Sequence, residues 1–400
     1  MTPITDEAIA QWRSDTPGAD RAIHLNNAGA ALMPVSVLQA MTEHLSLEGQ
    51  IGGYEAAAEA AVGIRNFYEV TARCIGAQAR QIAFMSSATE AYNKALSAIP
   101  FHSGDVILCT QDDYVSNQIA FIQLSRQRSV RLIRIPDLPG GGTDLDALEQ
   151  LLRVHRPKLV AVTHMPTNSG LIQDAAAVGQ LCRQYDSWYL LDACQTFGQL
   201  PLDVAALHCD FLSATFRKFM RGPRGAGFLY TSDRVLEAGL EPLFPDLHGA
   251  TWTGPDEYVC RNDAQRFEQW EKPYALVLGS AAAVAYADAI GLERIQQRIQ
   301  SLAATLRTQL SALPGIHNLD RGAQLGGICS FTLPHAEGQW LKQQLDQQNI
   351  HSSLQLRDGA LLDFQRKNAA WAIRLSPHYY NTFHEIQTTT EAFTEILKRL

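Results

Sequence analysis

The sequence predicts an α/β fold with a mostly parallel sheet and helices on both faces, followed by a smaller α+β domain. Over residues 81–193, short apolar runs alternate with longer helix-like stretches, a pattern typical of right-handed βαβ units. After about Pro273 the pattern changes to a long helical region and then to short strands mixed with helices. We therefore expect a large domain over residues 20–273 and a small C-terminal domain over residues 274–400, with residues 1–19 packing against the small one.

The individual elements follow from apolar runs and from the turn residues between them. Residues 24–34 predict a brief strand and a turn, and residues 35–49 predict a helix. Strands of the large domain are expected at 81–87, 105–110, 130–135, 158–165 and 187–193. The helices between them are expected at 88–99, 114–127, about 145–154 and 175–185. In the small domain, a helical region to Leu313 precedes strands at 328–333, 350–356 and 371–376 and helices at 339–348 and 383–400.

Composition and charge narrow the classes of partner. The chain has 400 residues, 46% of them apolar, and a formal net charge of −8, which argues against general affinity for nucleic acid or anionic membranes. Its seven scattered cysteines form no CxxC pair, as expected for reduced thiols. The N-terminus has neither the basic start nor the apolar core of a signal peptide. A cytoplasmic protein with a small-molecule partner and no metal site is therefore predicted.

One apolar run raises the question of a membrane span. It extends from Tyr274 to Ile290, is rich in alanine and contains Asp288. A span needs roughly 20 apolar residues, and this run is shorter. We therefore expect a buried helix there and no membrane partner.

Two residues between Leu190 and Tyr230 indicate a particular chemistry. Asp192 closes an apolar, strand-like run, and Lys218 lies in a polar, glycine-flanked turn. A lysine amine forms a Schiff base with the aldehyde of pyridoxal 5′-phosphate, and an aspartate beside the pyridine nitrogen keeps that ring protonated. The pair suggests a pyridoxal phosphate enzyme. Each residue alone has a plainer interpretation, Asp192 as a helix N-cap and Lys218 as part of a solvated basic loop.

Other candidates follow other predicted strands, where ligands of open α/β sheets bind. Ala88 and Thr89 open a helix whose free N–H groups favour a phosphate, although Thr89 as a simple helix cap is the plainer interpretation. Tyr114 is able to stack on a flat cofactor or simply to pack. Asn168 is able to bond a phenolic oxygen or a substrate carboxylate, or its own backbone. Gln195 is able to reach the ring oxygen of the cofactor.

The basic loop adds two candidates. Thr215 is a candidate phosphate ligand, and Arg217 is its charge partner. Arg217, Arg221 and Arg224 are cations close to Lys218 in sequence, and we expect this clustered charge to lower the pKa of the lysine amine. A nucleophilic amine needs a lowered pKa of this kind.

The ordered motifs SATEA, DYVSN, HMPTNSG, DACQ and RKFMRGPRGAG resemble the class V aminotransferase family of fold-type I pyridoxal phosphate enzymes. This family includes cysteine desulfurases, selenocysteine lyases and isopenicillin N epimerase-like proteins. The resemblance extends from LNNAG to RLSPHYYNT. It implies Lys218 and Asp192 as catalytic residues, and Arg374 as the bidentate grip on the substrate carboxylate, with Asn27 also in the substrate pocket. The implied cofactor-binding residues are Ala88, Thr89, Tyr114, Asn168, Asp192, Gln195, Thr215 and Lys218.

Two departures from the family pattern bear on the reaction. Cysteine desulfurases carry a persulfide-forming cysteine shortly before the carboxylate-binding arginine, but residues 351–368 contain none, and Cys329 is expected to lie in the core. Arg217 replaces a histidine of the family, and residues 266–275 replace a glycine–threonine–proline turn that binds phosphate across the dimer. These differences favour the epimerase-like and C–S lyase branch.

The resemblance therefore implies an enzyme that forms an external aldimine with an amino acid and removes its Cα proton. We expect β-elimination at a C–S bond without a persulfide cysteine. Epimerisation and transamination remain alternatives, and a non-catalytic binding module is a further one. A homodimer is also implied, with Gly52–Tyr54 and Trp252–Trp270 as candidate interface segments.

Overall fold

The computed structural model describes residues 4–399. Several helices begin at side-chain caps: Asp144 and Asp174 each accept the N–H group three residues later. Within the described range the helices are, in chain order, α1 (Asp6–Ser14), α2 (Val35–Ile51), α3 (Gly53–Glu59), α4 (Ala61–Cys74), α5 (Ala88–Ala98), α6 (Val115–Arg128), α7 (Leu145–His155), α8 (Ala175–Gln184), α9 (Val204–Leu207), α10 (Asp233–Glu237), α11 (Tyr274–Ile290), α12 (Leu292–Ser311), α13 (Gly338–Gln347), α14 (Leu361–Arg366) and α15 (Phe383–Leu397).

The strands are short and mostly apolar. In chain order they are β1 (Ile23–His24), β2 (Ile82–Met85), β3 (Val106–Cys109), β4 (Arg131–Arg134), β5 (Leu159–Thr163), β6 (Trp188–Asp192), β7 (Phe211–Thr215), β8 (Gly227–Thr231), β9 (Ala250–Gly254), β10 (Glu257–Cys260), β11 (His317–Asn318), β12 (Cys329–Thr332), β13 (Ile350–His351), β14 (Ser353–Leu356) and β15 (Trp371–Leu375). Short 3-10 helices cover Ala79–Gln81, Ala264–Phe267 and Arg357–Gly359.

A seven-stranded sheet forms the centre of the fold, in the order β2-β8-β7-β6-β5-β3-β4. Pairing is parallel from β7 to β4, and β8 runs antiparallel to both β7 and β2. Buried apolar clusters cover both faces of the sheet. The prediction of an α/β fold with a mostly parallel sheet is confirmed. Because β2 points the same way as the parallel strands, its carboxyl end also lies at their common edge.

The C-terminal part forms a four-stranded antiparallel sheet in the order β11-β12-β15-β14. Helices α12, α13 and α15 contribute to the buried cluster that includes Phe331 and Ile373. The predicted strand at 350–356 is two strands, because β13 leaves this sheet and pairs in parallel with β1 near the N-terminus.

The two hydrophobic cores do not separate at the predicted boundary, residue 273. Helix α11 packs against α2 and α4, and its Val277 and Val284 belong to the core under the large sheet. The core changes along α12, where Ile299 belongs to the large core and Leu302 to the small one. The buried contacts therefore show no boundary at residue 273. That residue stays a prediction for the point at which two independently folding units meet.

The N-terminal segment contacts both parts of the protein. Trp12 is buried in the large core, while Arg13 forms an ion pair with Glu385 of α15 at 3.0 Å. The prediction that residues 1–19 pack on the small domain matches only the second of these contacts. Residues 1–3 of that segment lie outside the described range, as does Leu400 at the end of the predicted helix 383–400.

Two local predictions differ from the structure. The long helical region ends at Ile290 and restarts at Leu292, because Gly291 adopts a positive φ of 92°, which interrupts a helix. Strands β7 and β8 and the β9–β10 hairpin lie after residue 204, where no strands were predicted. Within residues 4–399, no single helix is long and apolar enough to cross a membrane; α11 and α12 together pass by length and composition but bend by 80°. Helix α11 is the buried helix that the run from Tyr274 to Ile290 predicts.

Candidate active site

The carboxyl ends of the central strands surround one cavity. Strand β6 ends at Asp192, β7 at Thr215 and β5 at Thr163, and β2 leads into α5. The side chains that line the cavity are those of Ser87, Ala88, Thr89, Tyr114, Asn117, Thr163, Met165, Thr167, Asp192, Cys194, Gln195, Thr215, Arg217 and Lys218. Eight of the predicted site residues, Arg217 among them, are therefore brought together, and Asn168, Arg374 and Asn27 are not in this lining.

Lys218 is buried in the turn between β7 and β8. Burial lowers the pKa of its amine, and the positive charges of Arg217 and Arg374 lower it further, while Cys194 and Asp192 oppose the shift. The predicted lowering of this pKa is confirmed in direction. Its main cause is desolvation rather than the clustered cations. Lys218 therefore has the larger neutral fraction that a nucleophilic amine requires.

Asp192 is held in place by two donors. Its Oδ1 accepts the backbone N–H of Cys194 at 2.9 Å, and its Oδ2 accepts the side-chain amide of Asn117 at 3.1 Å. The helix-cap interpretation of Asp192 is wrong, because no helix starts there. A buried carboxylate at the end of a strand, with one face on a cavity, suits a protonated ring nitrogen.

Asn117 lies in the motif DYVSN but was not predicted as a site residue. The same Asn117 amide also donates to Asp113 at 3.0 Å, and Asp113 accepts a further hydrogen bond from Gln118 at 2.8 Å. Burial raises the pKa of Asp113 to about 6. Asn117 thus joins two buried carboxylates, and its position one turn into α6, after Tyr114, was the available signal.

The start of α5 forms the end of the cavity that suits a phosphate. Ser87 caps the helix by accepting the N–H of Glu90 at 3.1 Å, so the interpretation of Thr89 as the cap is wrong. Ala88 and Thr89 therefore present first-turn N–H groups to the cavity, where the helix dipole favours an anion. A Cβ on Gly227 would lie 3.0 Å from the Ala88 nitrogen. Glycine at position 227 therefore allows the first turn of α5 to contact β8 directly.

Tyr114, Gln195 and Thr215 line the cavity as predicted. Gln195 donates to the carbonyl oxygen of Ala28 at 3.2 Å and to the hydroxyl of Thr167 at 3.0 Å. Its Oε1 is buried and has no partner among the described residues, so a donor from a bound molecule would satisfy it. Thr215 donates to the carbonyl of Ala226 at 3.2 Å, which leaves its oxygen free to accept.

Asn168 is not among the residues that line the cavity, and its ligand role stays a prediction. Its amide donates to Asp363 of α14 at 2.6 Å, and its buried Oδ1 has no partner among the described residues. Thr167, one residue earlier, lines the cavity instead. The two side chains of adjacent turn residues point in different directions, which the sequence alone did not show.

Arg374 of β15 is buried beside the cavity, where it contacts two segments of the large domain. It donates to the carbonyl and hydroxyl oxygens of Thr167 at 2.7 and 2.8 Å, and to Asn26 Oδ1 at 3.3 Å. Burial lowers its pKa to about 10, and the charge of Arg217 adds to this shift. Its Nε has no partner among the described side chains. A buried guanidinium of this kind suits a carboxylate ligand.

The predicted substrate residue Asn27 is not in the lining of the cavity. Its amide donates to the carbonyl oxygens of Ser376 at 2.7 Å and His24 at 3.1 Å, and its Oδ1 accepts the hydroxyl of Tyr380 at 2.6 Å. The neighbouring Asn26 contacts Arg374 at 3.3 Å, and the substrate-binding role of Asn27 stays a prediction.

The basic loop is not solvated, so that interpretation is wrong. Arg221 is fully buried, where it donates to Tyr379 at 2.6 Å and Thr16 at 2.5 Å. Arg217 is half-buried and its guanidinium donates to the carbonyl oxygen of Gly29. Only Arg224 of the four cations of this loop is exposed.

These residues fit pyridoxal 5′-phosphate. One cavity is lined by a lysine with a lowered pKa, a carboxylate at the end of a strand and the start of a helix that favours an anion. The Oε1 of Gln195 lacks a hydrogen-bond partner there. The sheet order, the second α+β unit and this set of side chains define a pyridoxal phosphate-dependent enzyme of fold type I.

The comparisons with known proteins agree. The family model described as Aminotransferase class-V matches residues 23–388. A probable cysteine desulfurase of Methanothermobacter thermautotrophicus is 29% identical over 96% of this chain and 97% of its own. A probable hercynylcysteine sulfoxide lyase of Mycobacterium tuberculosis is 25% identical over 98% of this chain and 94% of its own. The apo structure of a cysteine desulfurase from Thermococcus onnurineus superimposes with a TM-score of 0.91 at 25% identity, covering both chains fully.

The chain belongs to the class V aminotransferase family, and it is an enzyme with pyridoxal 5′-phosphate as its cofactor. The expected family is confirmed, and the alternative of a non-catalytic binding module is wrong. The individual roles predicted for the site residues stay predictions.

Proposed function

We propose that this enzyme is a C–S lyase that eliminates a thiol from the β-carbon of a cysteine conjugate. The observation that carries the proposal is the composition of residues 351–368, which precede Arg374. This segment includes β14 and α14 and contains no cysteine. It thus has no thiol to accept sulfur from a substrate held by Arg374.

The positions of the cysteines support the same conclusion. All seven lie within the described residues, and Cys194 alone lines the cavity. Burial and the charge of Asp192 raise the pKa of Cys194 well above its usual range, so its thiol stays protonated and is a poor nucleophile. Cys329 is fully buried in β12, as expected, and donates to the Ala303 carbonyl.

The residues of the site divide the work of such a reaction. When bound, the cofactor supplies a pyridine ring that draws electrons from the substrate Cα. Asp192, fixed by Asn117, provides the negative charge that keeps the ring nitrogen protonated. Arg374 holds the substrate carboxylate. Lys218 takes the Cα proton on its Nζ as general base, and its lowered pKa favours the neutral form that this step needs.

The comparisons supply support for two candidate reactions. The Mycobacterium tuberculosis relative is named as a sulfoxide lyase, which favours C–S elimination. The Methanothermobacter and Thermococcus proteins are named as desulfurases, which favours a second candidate, cysteine desulfuration. In that candidate Cys194 is the thiol placed to accept the sulfur.

Product analysis of the holoenzyme tests the proposal. Elimination from a cysteine S-conjugate plus water gives pyruvate, ammonia and a thiol in equal amounts. Desulfuration of cysteine gives alanine and protein-bound sulfur, and it should stop in Cys194→Ser if that thiol is the acceptor. Pyruvate formation that persists in Cys194→Ser supports the lyase. Formation of alanine, of a D-amino acid or of an amino-acceptor product without pyruvate would contradict it, the last two in favour of epimerisation or transamination.

We also propose a homodimer in the cytoplasm. Large apolar side chains are exposed in both candidate interface segments: Tyr54 is 76% exposed and Trp252 is 78% exposed. The β9–β10 hairpin adds Tyr258 and Val259, also exposed. Exposed aromatic residues on a projecting hairpin favour a protein–protein contact. The cytoplasmic location rests on the composition alone.

A further inference from the structure

A buried glutamine in the turn after β6 connects the active-site cavity with the C-terminal part of the protein. Gln199 is fully buried, and its Nε2 donates to the carbonyl oxygen of Gln195 at 2.5 Å. Its Oε1 accepts the backbone N–H of Gly327 at 2.5 Å, in the segment that leads into β12. Gln195 lines the cavity. One side chain therefore bonds both a cavity residue and the start of the C-terminal sheet.

The carbonyl oxygen of Gln195 is bonded by this side chain in place of a backbone donor. In a helical turn, the N–H group of residue 199 would donate to that oxygen. Here the Gln199 nitrogen donates instead to the carbonyl of Thr196, at 3.0 Å. The Gln199 amide supplies the missing donor. It thus holds the backbone from which the Gln195 side chain extends.

The segment on the other side of Gln199 is closely packed. A Cβ on Gly327 would lie 2.7 Å from Gln199 Oε1. A Cβ on Gly326 would lie 2.2 Å from the Cε of Met165, which lines the cavity. The carbonyl of Gly326 accepts a hydrogen bond from Arg307 of α12 at 2.6 Å. Gly326 and Gly327 therefore allow a close approach, and Arg307 fixes the segment that Gln199 contacts.

The orientation of Gln195 affects more than one polar contact in the cavity. Its Oε1 is buried and has no partner among the described residues. Its Nε2 donates to the hydroxyl of Thr167 at 3.0 Å, and the same hydroxyl accepts a hydrogen bond from Arg374 at 2.8 Å. A shift of the Gln195 backbone would therefore move an unsatisfied acceptor and a donor that supports Thr167.

We propose that Gln199 is a positioning residue, which sets the orientation of Gln195 towards the bound cofactor and ties it to the C-terminal part. The inference goes beyond the proposed function, because it concerns the cofactor and holds whichever reaction follows. A buried glutamine that only satisfied two backbone groups would stabilise the fold without changing the bound cofactor. Measurements on the cofactor itself separate these two roles.

The test is a double-mutant cycle with Gln199→Met and Gln195→Ala. Methionine is about as long as glutamine and packs well in a core, but it forms neither hydrogen bond. The dissociation constant of pyridoxal 5′-phosphate and the visible absorption maximum are measured for wild type, both single variants and the double variant. We expect Gln199→Met to weaken cofactor binding about 3- to 10-fold, as for one lost hydrogen bond, and to shift the band. Neither effect should appear when Gln195→Ala is already present, because Gln199 acts through Gln195.

Gln81→Met is the matched control. Gln81 is also buried, and its amide donates to Asp233 at 2.7 Å, but it does not line the cavity. Thermal unfolding should occur at a lower temperature in both Gln81→Met and Gln199→Met, because each loses hydrogen bonds of a buried amide. Only Gln199→Met should change the cofactor band and the dissociation constant.

Two results would overturn the inference. One is a band and a dissociation constant in Gln199→Met that match wild type, which would leave Gln199 with a structural role only. The other is an effect of Gln199→Met that is equally large with Gln195→Ala present, because Gln199 would then act by another route. If Gln199→Met does not fold, Gln199→Asn replaces it in the cycle. Asparagine keeps the amide but is too short to bond both groups, so the same changes are expected and the same results would contradict them.

Discussion

Asn117 donates from a single side-chain nitrogen to two buried carboxylates, Asp192 at 3.1 Å and Asp113 at 3.0 Å. Asp113 is fixed in turn by Gln118 and by the hydroxyl of Thr163. The position of Asp192 thus depends on a chain of hydrogen bonds from α6 and β5. Asp192, which is predicted to hold the ring nitrogen of the cofactor, is therefore oriented by Asn117 and Asp113, which follow β3. In the sheet, β5 lies between β3 and β6.

This relationship predicts the effect of removing the amide. Asn117→Ala leaves Asp192 with one donor fewer in a buried site, and we expect kcat/KM to fall about 10- to 100-fold, as for a lost hydrogen bond to a charged group. The visible spectrum of the bound cofactor should shift as well, since the ring nitrogen loses its fixed partner. Gln118→Ala, which touches Asp113 but not Asp192, is the control and should change activity by less than about 3-fold. Equal losses in both variants would contradict the direct role of Asn117.

Lys218 is predicted to carry the cofactor. Lys218→Ala should lose the visible absorption band of the purified enzyme and all measurable turnover, because no other amine lines the cavity among the described residues. Lys342→Ala, which breaks an ion pair with Asp346 on α13, serves as a surface control and should keep both. A band that survives Lys218→Ala unchanged would disprove the assignment.

Thr167 and Asn168 are predicted to have different effects, although they are adjacent. Thr167→Val removes the hydroxyl that accepts from Arg374 and Gln195, so KM for the amino acid should rise about 10-fold. Asn168→Ala removes a donor to Asp363 and should lower thermal stability while leaving KM within about 2-fold of wild type. Steady-state kinetics and thermal unfolding of both variants check this. The reverse pattern would support Asn168 rather than Thr167 as the ligand.

Asp112 should make stability depend on pH. It is 3% exposed, and burial together with the charge of Asp363 raises its pKa to about 8. Because the folded state binds this proton more tightly than the unfolded chain, with its pKa of about 3.9, the stabilisation is complete below about pH 4. It is lost progressively as the pH rises to about 8.

Asp112→Asn removes this dependence. We expect its free energy of unfolding, relative to wild type, to increase between pH 5 and pH 8 by an amount on the order of a few kcal/mol. Urea denaturation at both pH values measures it. Asp358→Asn is the control, because Asp358 is exposed, and its free energy of unfolding should change with pH as that of wild type does. If Asp112→Asn also follows wild type, Asp112 is not the source of the pH dependence.

The exposed hairpin predicts the oligomeric state. Trp252→Glu places a charge on β9 in the proposed dimer contact, and it should shift sedimentation from dimer to monomer. Val154→Glu, at an exposed apolar residue of α7, should leave the dimer intact. A wild-type monomer with full activity would refute the proposed homodimer.

Much of the fold was readable from the sequence, because regular elements impose a period. The runs that form β2, β3, β5 and β6 are mainly apolar segments bounded by turn residues, and β4 alternates arginine with apolar residues; each strand lies where it was expected. Strands β7 and β8 escaped notice because Ser213, Thr215 and Gly227 interrupt the apolar pattern. Thr215 lines the cavity and Gly227 permits the close approach of α5, and both are demands of tertiary structure.

The sequence by itself determined the family, the cofactor and the positions of Lys218 and Asp192, since these follow from ordered motifs and from the ends of predicted strands. Only the tertiary structure showed that Thr167 rather than Asn168 lines the cavity, and that Asn26 rather than Asn27 contacts Arg374. Side chains in a turn follow no period, so their directions depend on what packs against them. Arg374 and Thr167 are 207 positions apart in the chain, and only folding brings this guanidinium to the Thr167 hydroxyl at 2.8 Å.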